Sequence, residues 1–271
     1  MNMAEVRKKR IVICADDFGM NPAIDAAILQ LARQGRLNAT SCLVEGPSFA
    51  AGAQAVRASG LQLGLHLNFT ESLGRPGLYL PVSALIQHSW LRRLNPGQLR
   101  EQITRQLDGF ETMVGQPPDF VDGHQHIHQF PQIRSLLLQE LEARYVGGGL
   151  PWLRSTRTGR LAGLPVNLRI KALIIQMLGA GAFARQARHK DFPMNRAFLG
   201  VYDFQGGQAV YGKLLQNWLA QAQDGDLIMC HPASQALPGD GLGTQRQAEF
   251  DVLRSNAMGN WLRQYGLTLA A

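Results

Sequence analysis

Arg10-Ile11-Val12-Ile13-Cys14-Ala15-Asp16-Asp17-Phe18-Gly19, followed by Pro22, sets a pattern that the rest of the chain repeats. The apolar run between Arg10 and Asp16 reads as a short buried strand. The two aspartates stop it. Pro22 suits the first turn of a helix to about Gln34, and Gly35 suits its cap. Strand, polar turn and helix make one βα unit. Further strands are expected at 39–44, 61–67, 120–124, 152–155, 197–202 and 226–230, with a last one at 267–270. Helices are expected after Pro47-Ser48 to about Gly60, at 95–114, 131–144, 165–189 and 207–223, and again to about Gln264. Residues 68–94 read as a long irregular segment overlying the site. No linker or shift of composition divides the chain, so residues 1–271 are read as one domain. Residues 1–9 are read as a disordered basic tail. The alternation predicts a parallel sheet, closed or nearly closed into a barrel.

The bulk numbers are compatible with that. Of 271 residues, 45% are hydrophobic and 17% charged, which permits a sizeable core and argues against disorder. Cys14, Cys42 and Cys230 sit apart inside apolar runs and read as buried free thiols, which fits a reducing cytoplasm. The net charge of +7 is mostly scattered arginine, with small clusters at 7–10 and 185–190. No recognisable nucleic-acid module accompanies it, so a solvated basic surface is expected and no nucleic-acid partner. The run 11–15 is too short for a signal peptide or a membrane helix. The apolar stretch 164–183 is broken by Asn167, Arg169 and Lys171. It reads as a buried or interface-packed helix, and it makes a homodimer plausible.

The stretch richest in chemistry is Asp122-Gly123-His124-Gln125-His126-Ile127-His128. Three of the chain's seven histidines lie within five residues. In an extended strand, the alternate positions 122, 124, 126 and 128 would share one face. Other strands end in compatible groups: Asp16-Asp17, His66 and His231. A parallel barrel opens all strand C-termini on one side, so these residues would converge. Two imidazoles and a carboxylate can hold a divalent ion with open positions for water. Adjacent aspartates point different ways if extended. One of Asp16 and Asp17 could ligate while the other stays free as a base.

Cys14-Ala15-Asp16-Asp17-Phe18-Gly19, Gly64-Leu65-His66-Leu67-Asn68, the 122–128 stretch and Met229-Cys230-His231-Pro232 together resemble the YdjC-type carbohydrate deacetylases, a group that includes chitooligosaccharide deacetylase and the hopanoid-associated HpnK proteins. The resemblance runs from Ile11 to about Leu262. It implies a deformed (β/α) barrel of about seven parallel strands, related to polysaccharide deacetylases. It also implies metal-dependent removal of an acetyl group from an N-acetylated sugar, oligosaccharide or glycolipid head group. Carried over by position, Asp17, His66 and His124 would hold one divalent ion, magnesium by the resemblance, with zinc or manganese as alternatives. Asp16 would be the general base and His231 the general acid.

Each assignment has a plainer alternative. Asp17 could cap a helix, and Asp16 could merely orient a ligand. His66 and His124 could be hydrogen-bonded core histidines. His231 could serve turn geometry before Pro232. Asp122 reads as a carboxylate orienting an imidazole. His126 and His128 read as support or sugar contacts. Arg154 could hold Asp16 ionised, bind substrate, or be a surface arginine. Trp90 and Trp152 read as core, and His88 and His189 as surface. Two other functions compete with hydrolysis. Two histidines and a carboxylate also form the facial triad of non-haem iron oxygenases, and a barrel of this kind could bind carbohydrate without catalysis. The spare base and the distant acid suit hydrolysis better.

Overall fold

The computed structural model describes residues 8–269. Its order follows the alternation of the sequence. After β1 (Lys9–Arg10) comes β2 (Val12–Phe18), then α1 (Pro22–Arg33), β3 (Ala39–Cys42), α2 (Phe49–Arg57) and β4 (Gln62–Leu67). Next are α3 (Val82–Trp90), α4 (Pro96–Val114), β5 (Phe120–Gly123), α5 (Ile133–Arg144) and β6 (Trp152–Leu153). The last part carries α6 (Val166–Met177), α7 (Ala180–His189), β7 (Phe198–Leu199), α8 (Gly207–Gln221), β8 (Leu227–Cys230), α9 (Gly243–Leu253), α10 (Asn256–Gln264) and β9 (Leu267–Thr268). The start signals act as expected. Asn21 accepts hydrogen bonds from the amides of Ala23 and Ile24, and Pro22 opens α1.

Seven strands form one parallel sheet in the order β6-β5-β4-β3-β2-β8-β7. Its edges meet through the single bridges Leu153–Met194 and Thr158–Phe198 instead of a ladder. The sheet is therefore a curled, deformed barrel. Side chains sort by the two-residue period of a strand. Cys14, Phe120, Phe198, Leu227 and Met229 pack together in one cluster. Their strand neighbours Ile13, Ala15, Val121 and Ile228 join the larger core formed with the helices. Gly64 makes room for a large neighbour: a Cβ there would lie 2.2 Å from the Phe120 ring.

The structure corrects the sequence reading at several points. The first strand does not stop at Ala15 but continues through both aspartates to Phe18. Its register against β3 shifts between Ala15 and Phe18, and Asp17 adopts φ 72°. The segment 68–94 is not irregular throughout, because α3 lies within it. The expected helix 165–189 breaks at Gly179, whose φ is 153° and whose missing Cβ would fall 2.2 Å from the Gln129 carbonyl oxygen. That close approach admits only glycine. The final helix is also two, separated at Ser255, which caps α10.

The expected tail at 1–9 lies outside the described residues as far as position 7. Lys9, however, is paired, because β1 forms a separate two-stranded parallel sheet with β9. The last strand thus joins no barrel, and Ala270 lies outside the described residues. Trp90 is 52% exposed and not core. Trp152 stacks on Phe120 with centroids 4.2 Å apart. Among the described residues no single helix is long and apolar enough to cross a membrane.

Candidate metal and catalytic centre

The carboxyl ends of β2, β4, β5 and β8 deliver the titratable groups. Alternation would send Asp16 and Asp17 to opposite sides of the sheet. The bulge and the left-handed backbone at Asp17 turn the second carboxylate inward. Both now line one cavity of about 430 Å³ with His66, His124, His126 and His231. After Gly123 the chain leaves the strand and coils tightly over His124–Gln129, with Gln125 and His126 left-handed. The shared face expected for 122, 124, 126 and 128 is lost there. His124 and His126 reach the cavity, while His128 goes into the core.

Asp17 Oδ1 lies 3.1 Å from His124 Nδ1 and 3.4 Å from His66 Nε2. One ligand atom from each of these residues falls within 4.8 Å of the others. His66 is held from behind. Its Nδ1 lies 2.6 Å from Asp122 Oδ1, which also accepts from Ser41 Oγ at 3.0 Å. A carboxylate on Nδ1 fixes the ring and aims Nε2 at Asp17. Burial would lower the His66 pKa, but Asp122 overrides it and raises it to about 10. Burial likewise opposes the charge on Asp17, yet Arg246 and His124 hold its pKa well below the usual range. The cage is built to hold positive charge. Its donors, one carboxylate oxygen and two imidazole nitrogens, suit a divalent ion.

A second convergence, Cys14 with Asp16 and Asp122, already surrounds a cation. Arg154 is fully buried. Its Nη1 and Nη2 each reach Asp16 at 2.6 Å, and Nη2 reaches Asp122 Oδ2 at 2.5 Å. It is therefore no surface arginine, and it fixes both carboxylates at once. His128 Nε2 lies 2.9 Å from the Arg154 carbonyl oxygen, and its ring meets the Phe183 edge. His128 is fully buried and away from the cavity, which corrects its reading as a sugar contact. Burial pushes its pKa down to about 4. His126 does line the cavity, edge-on to Phe198.

His231 Nε2 lies 3.9 Å from Asp16 Oδ2, and burial pushes its pKa down to about 4. Its position is set by a residue that sequence reasoning missed. Glu249, on α9, accepts from the His231 amide at 2.6 Å and from Tyr202 Oη at 2.5 Å. Arg246, one turn earlier, was missed too. Its Nη2 donates to Asp17 Oδ2 at 2.7 Å. No metal-type motif marks these two. Their spacing of three on one helix face was the available signal. Glu45 lies elsewhere, tied to Arg105 and Tyr79.

Burial raises the Glu249 pKa to about 7. An acid with a raised folded pKa keeps its proton in the native state when the unfolded chain has lost it. Stability should therefore fall as pH rises from about 4.5 to about 7, by roughly 3 kcal/mol from this group. Glu249→Gln should remove that component. Urea unfolding of both proteins across this window tests it, and an unchanged pH slope in the variant would refute it.

The comparisons with known proteins follow the same lines. Residues 10–264 match the family model described as YdjC-like protein. The chain is 29% identical to the carbohydrate deacetylase of Mus musculus, over 97% of this chain and 93% of that protein. Its fold is similar to that of an Enterococcus faecalis V583 protein assigned to cellobiose-phosphate cleavage. There the TM-score is 0.67, with 20% identity and 97% of each chain covered. It is also similar to a peptidoglycan N-acetylglucosamine deacetylase, with a TM-score of 0.53, 14% identity, and 97% of this chain and 86% of that one covered. At such identities the two structures show a shared fold.

Proposed function

We propose, for a chain that belongs to the YdjC-like protein family, that it hydrolyses the N-acetyl group of an amino sugar, whether free, in an oligosaccharide or on a glycolipid head group. The observation that carries this is the meeting of Asp16, Asp17, His66, His124 and His231 around one cavity, from four strand ends. Relatives named for carbohydrate deacetylation support it.

Asp17 Oδ1, His66 Nε2 and His124 Nδ1 are the atoms that would hold a divalent ion. Such an ion supplies Lewis acidity, polarising an acetyl carbonyl and lowering the pKa of water toward ~7. Asp16 Oδ2 takes the proton of the attacking water, with Arg154 fixing its orientation. His231 is neutral at rest and must be loaded with a proton during turnover. Asp16 Oδ2, 3.9 Å from its Nε2, is the nearest carboxylate source. His231 Nε2 then protonates the departing amine. Water adds across the amide, leaving acetate and a free amine.

The presence of both Asp16 and His231 separates this reading from a facial-triad oxygenase and from a sugar-binding barrel, neither of which needs them. The test is acetate release from N-acetylated mono- and oligosaccharides before and after chelation. Activity should vanish on metal removal and return with a divalent ion. Full activity in the stripped protein would refute the metal site, and iron-dependent oxygen consumption would favour the oxygenase.

A further inference from the structure

Helix α6 is apolar on both sides. Leu168 and Ala172 are buried against the barrel. Val166, Ile170, Leu173, Ile174 and Met177 point outward and are 41–75% exposed. At about 100° per residue they fall within an arc of roughly 100°. An exposed apolar arc of this width belongs against something that is not water. Among the described residues nothing covers the outer side of α6. Trp90, 52% exposed at the end of α3, extends the patch, since it shares a cleft of about 340 Å³ with Met177, Arg134 and Arg157. The inner faces of the same two helices, through Ile86 and Ile175, wall the catalytic cavity.

The rim of the patch is basic and unneutralised. Among the described residues, none of Arg92, Arg134, Arg157 and Arg185 has a carboxylate within 4.0 Å. Burial and then the charges of Arg92 and Arg185 depress the Arg134 pKa, and a Cβ on Gly181, which lines the same cleft, would lie 3.9 Å from Arg185 Nη1. Since α6 contains no Asp or Glu, a second copy docked through it would bring no acidic residue of that helix to pair the cluster. An anionic surface would neutralise it. Apolar face, interfacial tryptophan and arginine rim are the features of a segment that lies on a bilayer. Lying on it is the geometry that fits, because α7 buries Phe183, Ala184 and Ala187 in the protein and meets α6 at 43°.

We propose that the outer face of α6, with Trp90 and the Arg92, Arg134, Arg157 and Arg185 cluster, seats the protein on an anionic lipid bilayer beside its catalytic cavity. This docking is independent of the deacetylase reading. Co-sedimentation with phosphatidylcholine vesicles, with and without phosphatidylglycerol, tests it. The full chain should pellet with the anionic vesicles. Ile170→Ser/Ile174→Ser should lower that partition by about tenfold or more at unchanged net charge. Leu173→Ser/Met177→Ser should do the same, and Arg92→Ser/Arg185→Ser should weaken the preference for anionic lipid. These side chains are exposed, so melting temperatures should hold, which separates lost docking from lost folding. No pelleting with either vesicle would overturn the proposal. So would anionic pelleting insensitive to both of the apolar-to-serine pairs, or a dimer in sedimentation velocity that those two pairs dissolve while vesicles stay unbound.

Discussion

His124→Ala should lower acetate release by at least about a thousandfold, some 4 kcal/mol of transition-state stabilisation. His124 contributes Nδ1 to the cage, 3.1 Å from Asp17 Oδ1. Without it two donors remain, too few to fix an ion that must also leave room for water and substrate. It is also the cleanest position to remove. The ring borders the cavity at 9% exposure, so water fills the space left behind. The fold should survive. Asp17→Asn would confound the test, because it removes one of the two carboxylates paired with the buried Arg246. The measurements are acetate release and bound metal per chain, with thermal unfolding as control. A variant that retains both the rate and one metal per chain would remove His124 from the ligand set.

Arg154→Met should cost about 3–5 kcal/mol of stability, because it leaves buried Asp16 without its cation and Asp122 with His66 alone. Asp16 is 1% exposed and Asp122 0%. Against a total of about 5–15 kcal/mol for a native protein, that is a large fraction. The intact cluster need not be a strong stabiliser, since burying three charges is itself unfavourable. The cost comes from removing one partner. Asp16→Asn/Arg154→Met should therefore recover part of the loss, as Asp122, still paired with His66, is then the one carboxylate that lacks its arginine. Urea unfolding of wild type and both variants tests this. A loss under about 1 kcal/mol in Arg154→Met, or no recovery in the double variant, would contradict it.

Much of the fold was legible because its signals are local. The runs ending at Asp17, His66, Asp122 and His231 are apolar strands, and Asn21-Pro22 and Asn95-Pro96 announce helix starts. The closing edge was less so. β6 and β7 have two residues each, and single bridges join them. Within the site, residues on strand ends were found because topology alone gathers them. A strand end near His124 and a helix start near Pro131 were legible, but the tight coil between them was not, because consecutive left-handed residues at Gln125 and His126 violate the alternation that the sequence suggests. Arg246 and Glu249 escaped because they sit on a helix whose other residues give no clear apolar face. Their partners are more than ten residues away in the chain. Arg154 was open between a partner of Asp16, a substrate contact and a surface arginine, and only three-dimensional contact places it between Asp16 and Asp122.

The backbone at Asp17 also narrows what evolution or an engineer can put there. A φ of 72° is tolerated by asparagine, aspartate and glycine far better than by longer or branched residues. Asparagine would keep the shape and lose the charge. Glycine would relieve the backbone and lose the donor. Glutamate would keep the charge, but on a residue that resists this conformation and with a reach one methylene too long. No other amino acid brings a short carboxylate to this backbone. With Asp17 in the proposed ligand role, a chain that drifts at this position has no functional intermediate to pass through, whereas the histidine corners stand on ordinary backbone or just before the left-handed turn and are free of that restriction.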